Sequence, residues 1–285
     1  MSASIQTRYW CNPFSSRVSQ HEKIFFLLRF GVMGCFVGHG FWGIAGKSGW
    51  IPFFEIFFFP EETIRILMPT IGIMDILVGI CAFFYPTRAL LIWATTWTIF
   101  TAALRPSAGM GMSEFFERAG NYMLPLAFLW LVNGFDRSQN FRKILTKDSL
   151  QIEQRAYDFE FLCRLGLALL LIGHGGLAFF NEHPVLIKHF SFLGLDAFGP
   201  DLKVFGLFEM ILGLFFFIFP RIKGLLTFIL ILKLSSEFLH PMAGVPVDIF
   251  ETIERMGDYI LPLILMNLYA EEQPRKVAHF AGNVQ

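Results

Sequence analysis

The stretch Glu-Phe-Phe-Glu-Arg-Ala-Gly-Asn-Tyr-Met-Leu-Pro at residues 114–125 returns at residues 251–262 as Glu-Thr-Ile-Glu-Arg-Met-Gly-Asp-Tyr-Ile-Leu-Pro. Both follow the pattern Glu-x-x-Glu-Arg-x-Gly-Asn/Asp-Tyr-x-x-Pro, too specific in order and spacing to arise twice by chance. Outward from it, three further pairs fall in the same order at nearly the same offset. Arg29-Phe30-Gly31 with Gly38-His39-Gly40 is matched by Arg164-Leu165-Gly166 with Gly173-His174-Gly175. Gly72, Asp75 and Gly79 are matched by Gly206, Glu209 and Gly213, and Arg105-Pro106 with Gly109 by His240-Pro241 with Gly244. Self-similarity at a fixed period is the mark of a duplicated structural unit.

Composition says where such units belong. Hydrophobic residues are 54% of the 285, charged residues 16%, Phe alone numbers 36, and the mean hydropathy is +0.54. A soluble core does not need that much apolar surface, whereas a bundle facing lipid does. The net charge of zero and the lack of a basic patch outside membrane flanks speak against a nucleic-acid partner. Cys11, Cys35, Cys81 and Cys163 are scattered, without CxxC or metal-type spacing, so neither a disulfide framework nor a zinc ribbon is expected.

A membrane-spanning helix needs roughly 20 mostly apolar residues. Eight segments qualify: about 24–45, 64–85, 88–104, 114–133, 157–180, 202–219, 222–240 and 251–269. The predicted fold is therefore all-α and integral to the membrane, with eight transmembrane helices as two four-helix repeats. The repeats cover 24–133 and 157–269, flanked by a segment 1–23, a linker 134–156 and a tail 270–285. The first 23 residues are polar, so the first apolar run reads as a signal anchor rather than a cleaved leader. Residues 50–59 are apolar but short, and read as interfacial or re-entrant. With the N-terminus inside, the inner face collects Arg8, Arg17, Lys23, Arg29, Arg88, Arg137, Arg142, Lys143, Lys147, Arg155, Arg221, Lys223, Arg275 and Lys276. The outer loops hold little beyond Lys47, Arg65, Lys188 and Lys203, so both termini and the linker are expected in the cytoplasm, in a bacterium beneath the inner membrane. Four spans is an even number, so both copies insert with the same topology about an axis along the membrane normal.

Against this apolar background the polar residues inside the spans stand out, since intramembrane ionisable groups are functional candidates by default. At about 100° per residue, Glu114, Glu117, Arg118 and Asn121 fall on about a third of one helix's circumference, with Glu114 and Arg118 at the favourable i,i+4 spacing. Glu251, Glu254, Arg255 and Asp258 repeat the stripe. The plainer reading is a helix terminus whose acids complement the dipole, with Ser113 and Asp248 as N-caps; it accounts for Glu114 and Glu251 better than for the deeper residues. His39 and His174, each between glycines, are either satisfied structural donors or ligand- and proton-handling groups. Metal or haem ligation has no HxxxH or HExxH pattern behind it, and no metal is assigned. Asp75 and Glu209 must pair or be protonated, the partners in reach being Arg105, Arg118, Arg255 or the histidines. The halves differ in one respect: the seventh span carries Lys233, Ser236, Glu237 and His240 where the third has Thr98, Thr101, Ala102 and Arg105. Catalysis is therefore expected in the second half, at His174, His240, Glu237, Lys233 and Glu254. Substrate binding is expected at His39, Asp75, Arg105, Glu117, Arg118, Glu209, Arg255 and Asp258.

At these residues the sequence resembles the DoxX-like family of four-helix membrane proteins, which includes the membrane subunit of thiosulfate:quinone oxidoreductase. The resemblance rests on Arg29-x-Gly31 with Gly38-His39-Gly40, Asp75 with Gly79, Arg105-Pro106 or His240-Pro241, and a fourth span opening with Glu, in both halves. Gly43 and Ala178 stand where the family usually has a lysine. It implies quinone-linked redox work in the membrane, often with a soluble or membrane partner subunit. The chain has no CxxCH or iron–sulfur spacing, so no cofactor is expected from motif and quinone is the one implied. A proton-coupled transporter or small-solute channel, and a non-catalytic scaffold or assembly factor, are alternative readings of the same buried charges, and a homo-oligomer is compatible with each.

Overall fold

A computed structural model describes residues 18–136, 138, 140–196 and 200–282, with side chains to residue 270. Residues 1–17, with Arg8, Cys11 and Arg17, and also Arg137 and the side chains of Arg275 and Lys276, lie outside the described residues. The described residues are all-helical, without a strand. The first half comprises α1 (Gln20–Ala45), α2 (Ile51–Glu55), α3 (Glu61–Phe84), α4 (Arg88–Ser107), α5 (Met112–Glu117) and α6 (Ala119–Leu131). The second comprises α7 (Ile152–Phe179), α8 (Pro184–Phe192), α9 (Pro200–Ile218), α10 (Leu225–Ala243), α11 (Ile249–Glu254) and α12 (Met256–Gly282). Four of these, α1, α3, α7 and α10, are long and apolar enough to cross a membrane, and α6 and the first part of α12 are shorter apolar helices.

Local chemistry sets the boundaries. The Ser19 side chain accepts from the Glu22 amide while the Glu22 carboxylate accepts from the Ser19 amide, a reciprocal cap that starts α1. Gly46, at φ 71°, ends it in the left-handed conformation that glycine adopts freely. Thr87 caps α4 through the Leu90 amide. The linker does not hang free. Its Leu145 amide bonds Pro86 O, its Phe141 carbonyl accepts from Ala89, and Leu145, Leu150 and Ile152 are buried in the main core.

Two expected spans are broken. Continuous helices over 114–133 and 251–269 are replaced by α5–α6 and α11–α12, which part at Arg118 (φ −80°, ψ 8°) and Arg255 (φ −89°, ψ 28°). At each break the backbone tightens to an i→i+3 bond, from Asn121 N–H to Arg118 O and from Asp258 N–H to Arg255 O, both 2.9 Å. The acidic stripe is therefore not one helical face. Neither is Ser113 the cap, since Gly111, at φ 91°, precedes α5; Asp248 does stand at the N-cap position of α11, but its side chain accepts from the Val245 amide and not from the helix.

The breaks sit against glycines of the opposite half. A Cβ on Gly38 of α1 would run into the backbone of Glu254, and one on Gly173 of α7 into the backbone of Glu117. The two broken helices cross where Gly120 and Gly257 touch backbone to backbone. Each half thus lends its broken helix to the first helix of the other. α1 and α7 lie in the middle, while α3, α4, α9 and α10 are peripheral and present an apolar belt that includes Ile66, Ile73, Leu77, Val204, Ile211, Leu214 and Ile231. Within each peripheral hairpin the helices splay: α3 and α4 touch little, and α9 and α10 barely at all.

Candidate functional site

Each half sets a histidine against a carboxylate on the adjacent helix. His39 Nδ1 lies 2.7 Å from Asp75 Oδ2, and His174 Nδ1 lies 2.5 Å from Glu209 Oε2. The helices can come this close because Gly40 packs on Gly72 and Gly175 on Gly206. Both carboxylates are 0% exposed, where an unpaired charge would be costly, and the imidazole resolves that cost. Asp75 Oδ1 and Glu209 Oε1 keep no hydrogen-bond partner, so each dyad retains a free acceptor.

The broken helices carry a charged cluster between the dyads. Arg255 reaches three acids: Nε lies 2.9 Å from Glu117 and 3.2 Å from Glu237, and Nη1 lies 3.0 Å from Glu251. Arg118 bridges Glu117 and Glu254, both at 2.8 Å. Because α5 ends before Arg118, the expected Glu114–Arg118 pair does not form. Glu114 faces His183 at 3.3 Å and Arg105 at 4.0 Å instead. Lys233, fully buried, lies 2.7 Å from Glu237 and 3.2 Å from Asp258, so the i,i+4 pairing expected for Lys233 and Glu237 is present.

The sequence-predicted residues thus come together in one cluster at the end of the bundle where α1 and α7 finish. Sequence reasoning missed Lys47, which bonds Glu251 across the halves, and His183 and His189, which sit in loops and in α8. Lys47 shows only as an outer-loop charge, and His189 stands in an otherwise apolar run. Burial, with His240 beside it, holds the His189 imidazole down to about 3.

The second half has what the first lacks. His240 Nε2 lies 3.3 Å from Glu237 Oε2, and Glu237 Oε1 lies 4.0 Å from His174 Nε2, which continues to Glu209. Titratable groups therefore run from the cluster's outer edge to the second dyad. In the first half Thr98, Ala102 and Asn121 replace Lys233, Glu237 and Asp258, and a cavity of about 20 Å³ lies among Cys35, His39, Thr98, Ala102, Arg118 and Glu254. That is room for about one water.

Three larger spaces adjoin the cluster. A polar cavity of about 410 Å³ lies between the halves, bordered by Lys47, Arg105, Glu114, His183, His240 and Arg255. A groove of about 280 Å³ in the first half is walled by Phe53, Phe57, Leu67, Phe100 and Leu104 and ends at His39 and Arg105. Its counterpart, about 930 Å³, is walled by Leu186, Phe190, Phe205, Phe208 and Leu239 and ends at His174 and His189. Exposed Phe57, Phe100, Phe208 and Met242 mark where the two grooves open onto the apolar belt. Among the described residues no group of three or more His, Cys, Asp or Glu side chains is arranged to hold a metal ion. No protein-family model, curated protein or solved structure matches the chain.

Proposed function

We propose that the chain is an integral protein of the bacterial inner membrane, of the DoxX-like kind, in which two four-helix repeats of parallel topology give eight crossings. Both termini lie in the cytoplasm. Its work is quinone-linked: the second-half groove admits a quinone from the bilayer, and the His174–Glu209 dyad exchanges protons with its head. The observation that carries this reading is an apolar groove, open on the apolar belt, that ends on a histidine–carboxylate dyad backed by a titratable chain. Such a shape suits a ligand with an apolar tail and a polar, proton-exchanging ring.

Reduction of a quinone to a quinol consumes two electrons and two protons. A soluble or membrane redox partner subunit supplies the electrons. The protons come from outside the membrane through His240, Glu237 and His174. Glu254, Arg118 and Arg255 hold the broken helices in register, and Lys233 and Asp258 fix Glu237. In the first half, His39 and Asp75 form the corresponding dyad.

Equilibrium binding of decylubiquinone and a menaquinone analogue to the protein in nanodiscs tests the proposal. Saturable binding lost in His174→Ala is expected, and absence of binding by the wild type would refute it. Membrane-impermeant maleimides test the topology: Lys188→Cys labels from outside, Ser138→Cys only after the membrane is opened, and Cys81 stays unlabelled in the bilayer. The polar cavity of about 410 Å³ favours a second reading, binding of a small polar solute such as a sulfur oxyanion, as electron donor or as transported species. Uptake into proteoliposomes separates transport from redox work.

A further inference from the structure

We propose that the first-half groove is a separate site for a long-chain carboxylate, a single-chain fatty acid whose head lies against Arg105. The inference rests on the reading that the apolar belt faces lipid, and not on quinone binding in the second half.

Arg105 is 6% exposed, its Nε has no partner, and its guanidinium makes no hydrogen bond to another described residue. The carboxylate paired with it, on Glu114, stands 4.0 Å away and is held by His183 at 3.3 Å. The neighbouring buried cations are treated differently: Arg118, Lys233 and Arg255 each have at least two carboxylates within 3.2 Å. A buried guanidinium short of an anion is costly, and a carboxylate would satisfy its planar fork in two-point fashion.

Three observations point to a ligand from the membrane rather than from water. Phe53 lies under the guanidinium at 5.3 Å and is itself a wall of the groove. The remaining wall is almost wholly aromatic and aliphatic, which suits an alkyl chain. The groove's about 280 Å³, against about 930 Å³ in the second half, suits one chain with a small head rather than a two-chain lipid. The halves then divide by charge. His240 stands where the first half has Arg105, so the second groove ends without a fixed cation and suits a neutral quinone head, whereas the first suits an anion. His39, stacked on Trp50 at 4.3 Å, closes the head end of the groove.

Equilibrium binding of radiolabelled oleate to delipidated full-length protein in detergent tests the proposal. Saturation at one oleate per chain is expected, weakened by about tenfold or more in Arg105→Gln and partly kept in Arg105→Lys. Thr101→Trp, which fills the groove and leaves the charge in place, abolishes binding, so the test does not hang on one variant. Unchanged oleate affinity in Arg105→Gln overturns the proposal. Displacement by excess sulfate overturns it in favour of an aqueous anion, displacement by phosphatidylglycerol in favour of a two-chain lipid, and displacement by decylubiquinone in favour of a second quinone site. His174→Ala, measured alongside, removes quinone binding and leaves oleate binding, so the two readings fail separately.

Discussion

Replacing Lys233 and Glu237, singly and together, probes the feature that distinguishes the second half. The pair is 0% and 1% exposed, with its charges 2.7 Å apart. At an effective dielectric constant of ~20, two unit charges at that distance attract by about 6 kcal/mol. Desolvation offsets much of this, and the net loss on deleting one member of a buried pair is about 3–5 kcal/mol. The surroundings place each variant within that range. Lys233→Met leaves Glu237 with Arg255 at 3.2 Å and His240 at 3.3 Å but strands buried Asp258, so it falls toward the upper end. Glu237→Gln leaves Lys233 with Asp258 alone at 3.2 Å and takes one of three acids from Arg255, so it falls toward the upper end. The double variant should cost about 2–3 kcal/mol less than the sum of the singles. Unfolding followed by loss of helical circular dichroism in detergent measures all three. Costs additive to within about 0.5 kcal/mol would refute the idea that these charges are each other's principal partners. The double variant still strands Asp258. Adding Asp258→Asn with Lys233→Thr and Glu237→Ala reproduces Thr98, Ala102 and Asn121 of the first half, and should recover stability while abolishing quinone turnover.

Other outcomes follow from the packing and from the surface. Gly38→Ala and Gly173→Ala push a methyl into backbone that cannot yield, so each should cost about 3 kcal/mol or more in the same unfolding assay, whereas Gly49→Ala, with open space around it, should stay within about 0.5 kcal/mol. Glu209→Gln should lower quinone turnover while leaving quinone affinity largely intact, since it alters the proton path rather than the groove. Lys147 forms a 2.5 Å pair with Glu22 that holds its ammonium above the usual lysine value. A raised native value means the contribution is complete below pH 10.5 and lost as pH rises past it, so the gap in Tm between wild type and Lys147→Ala should close in strong alkali.

Hydropathy alone made the long apolar helices legible, because α1, α3, α7 and α10 each hold a long, predominantly apolar window with few charges. The His39–Asp75 and His174–Glu209 partnerships were legible as possibilities, since an isolated buried carboxylate needs a partner; which of several partners it takes depends on the glycine contacts between helices. The breaks at Arg118 and Arg255 were not legible. Neither position carries proline or glycine, and the tight turn is held by packing against the opposite half, which one segment cannot display. The missing Glu114–Arg118 pair has the same cause. The lack of a close partner for Arg105 was invisible too, since it depends on Glu114 turning toward His183.

The exchange of broken helices also bears on how the molecule can move. A protein whose halves rock past one another needs a slip plane between them, along which side chains can change neighbours at small cost. Here the boundary between halves is stitched by backbone contacts at Gly38, Gly173, Gly120 and Gly257, with ion pairs woven across the same line. Rocking would have to tear those stitches together. α3 and α9 are packed tightly on α1 and α7, so the compliant parts are the loose seams between α3 and α4 and between α9 and α10, and breathing is expected there, as two side doors hung on a rigid frame.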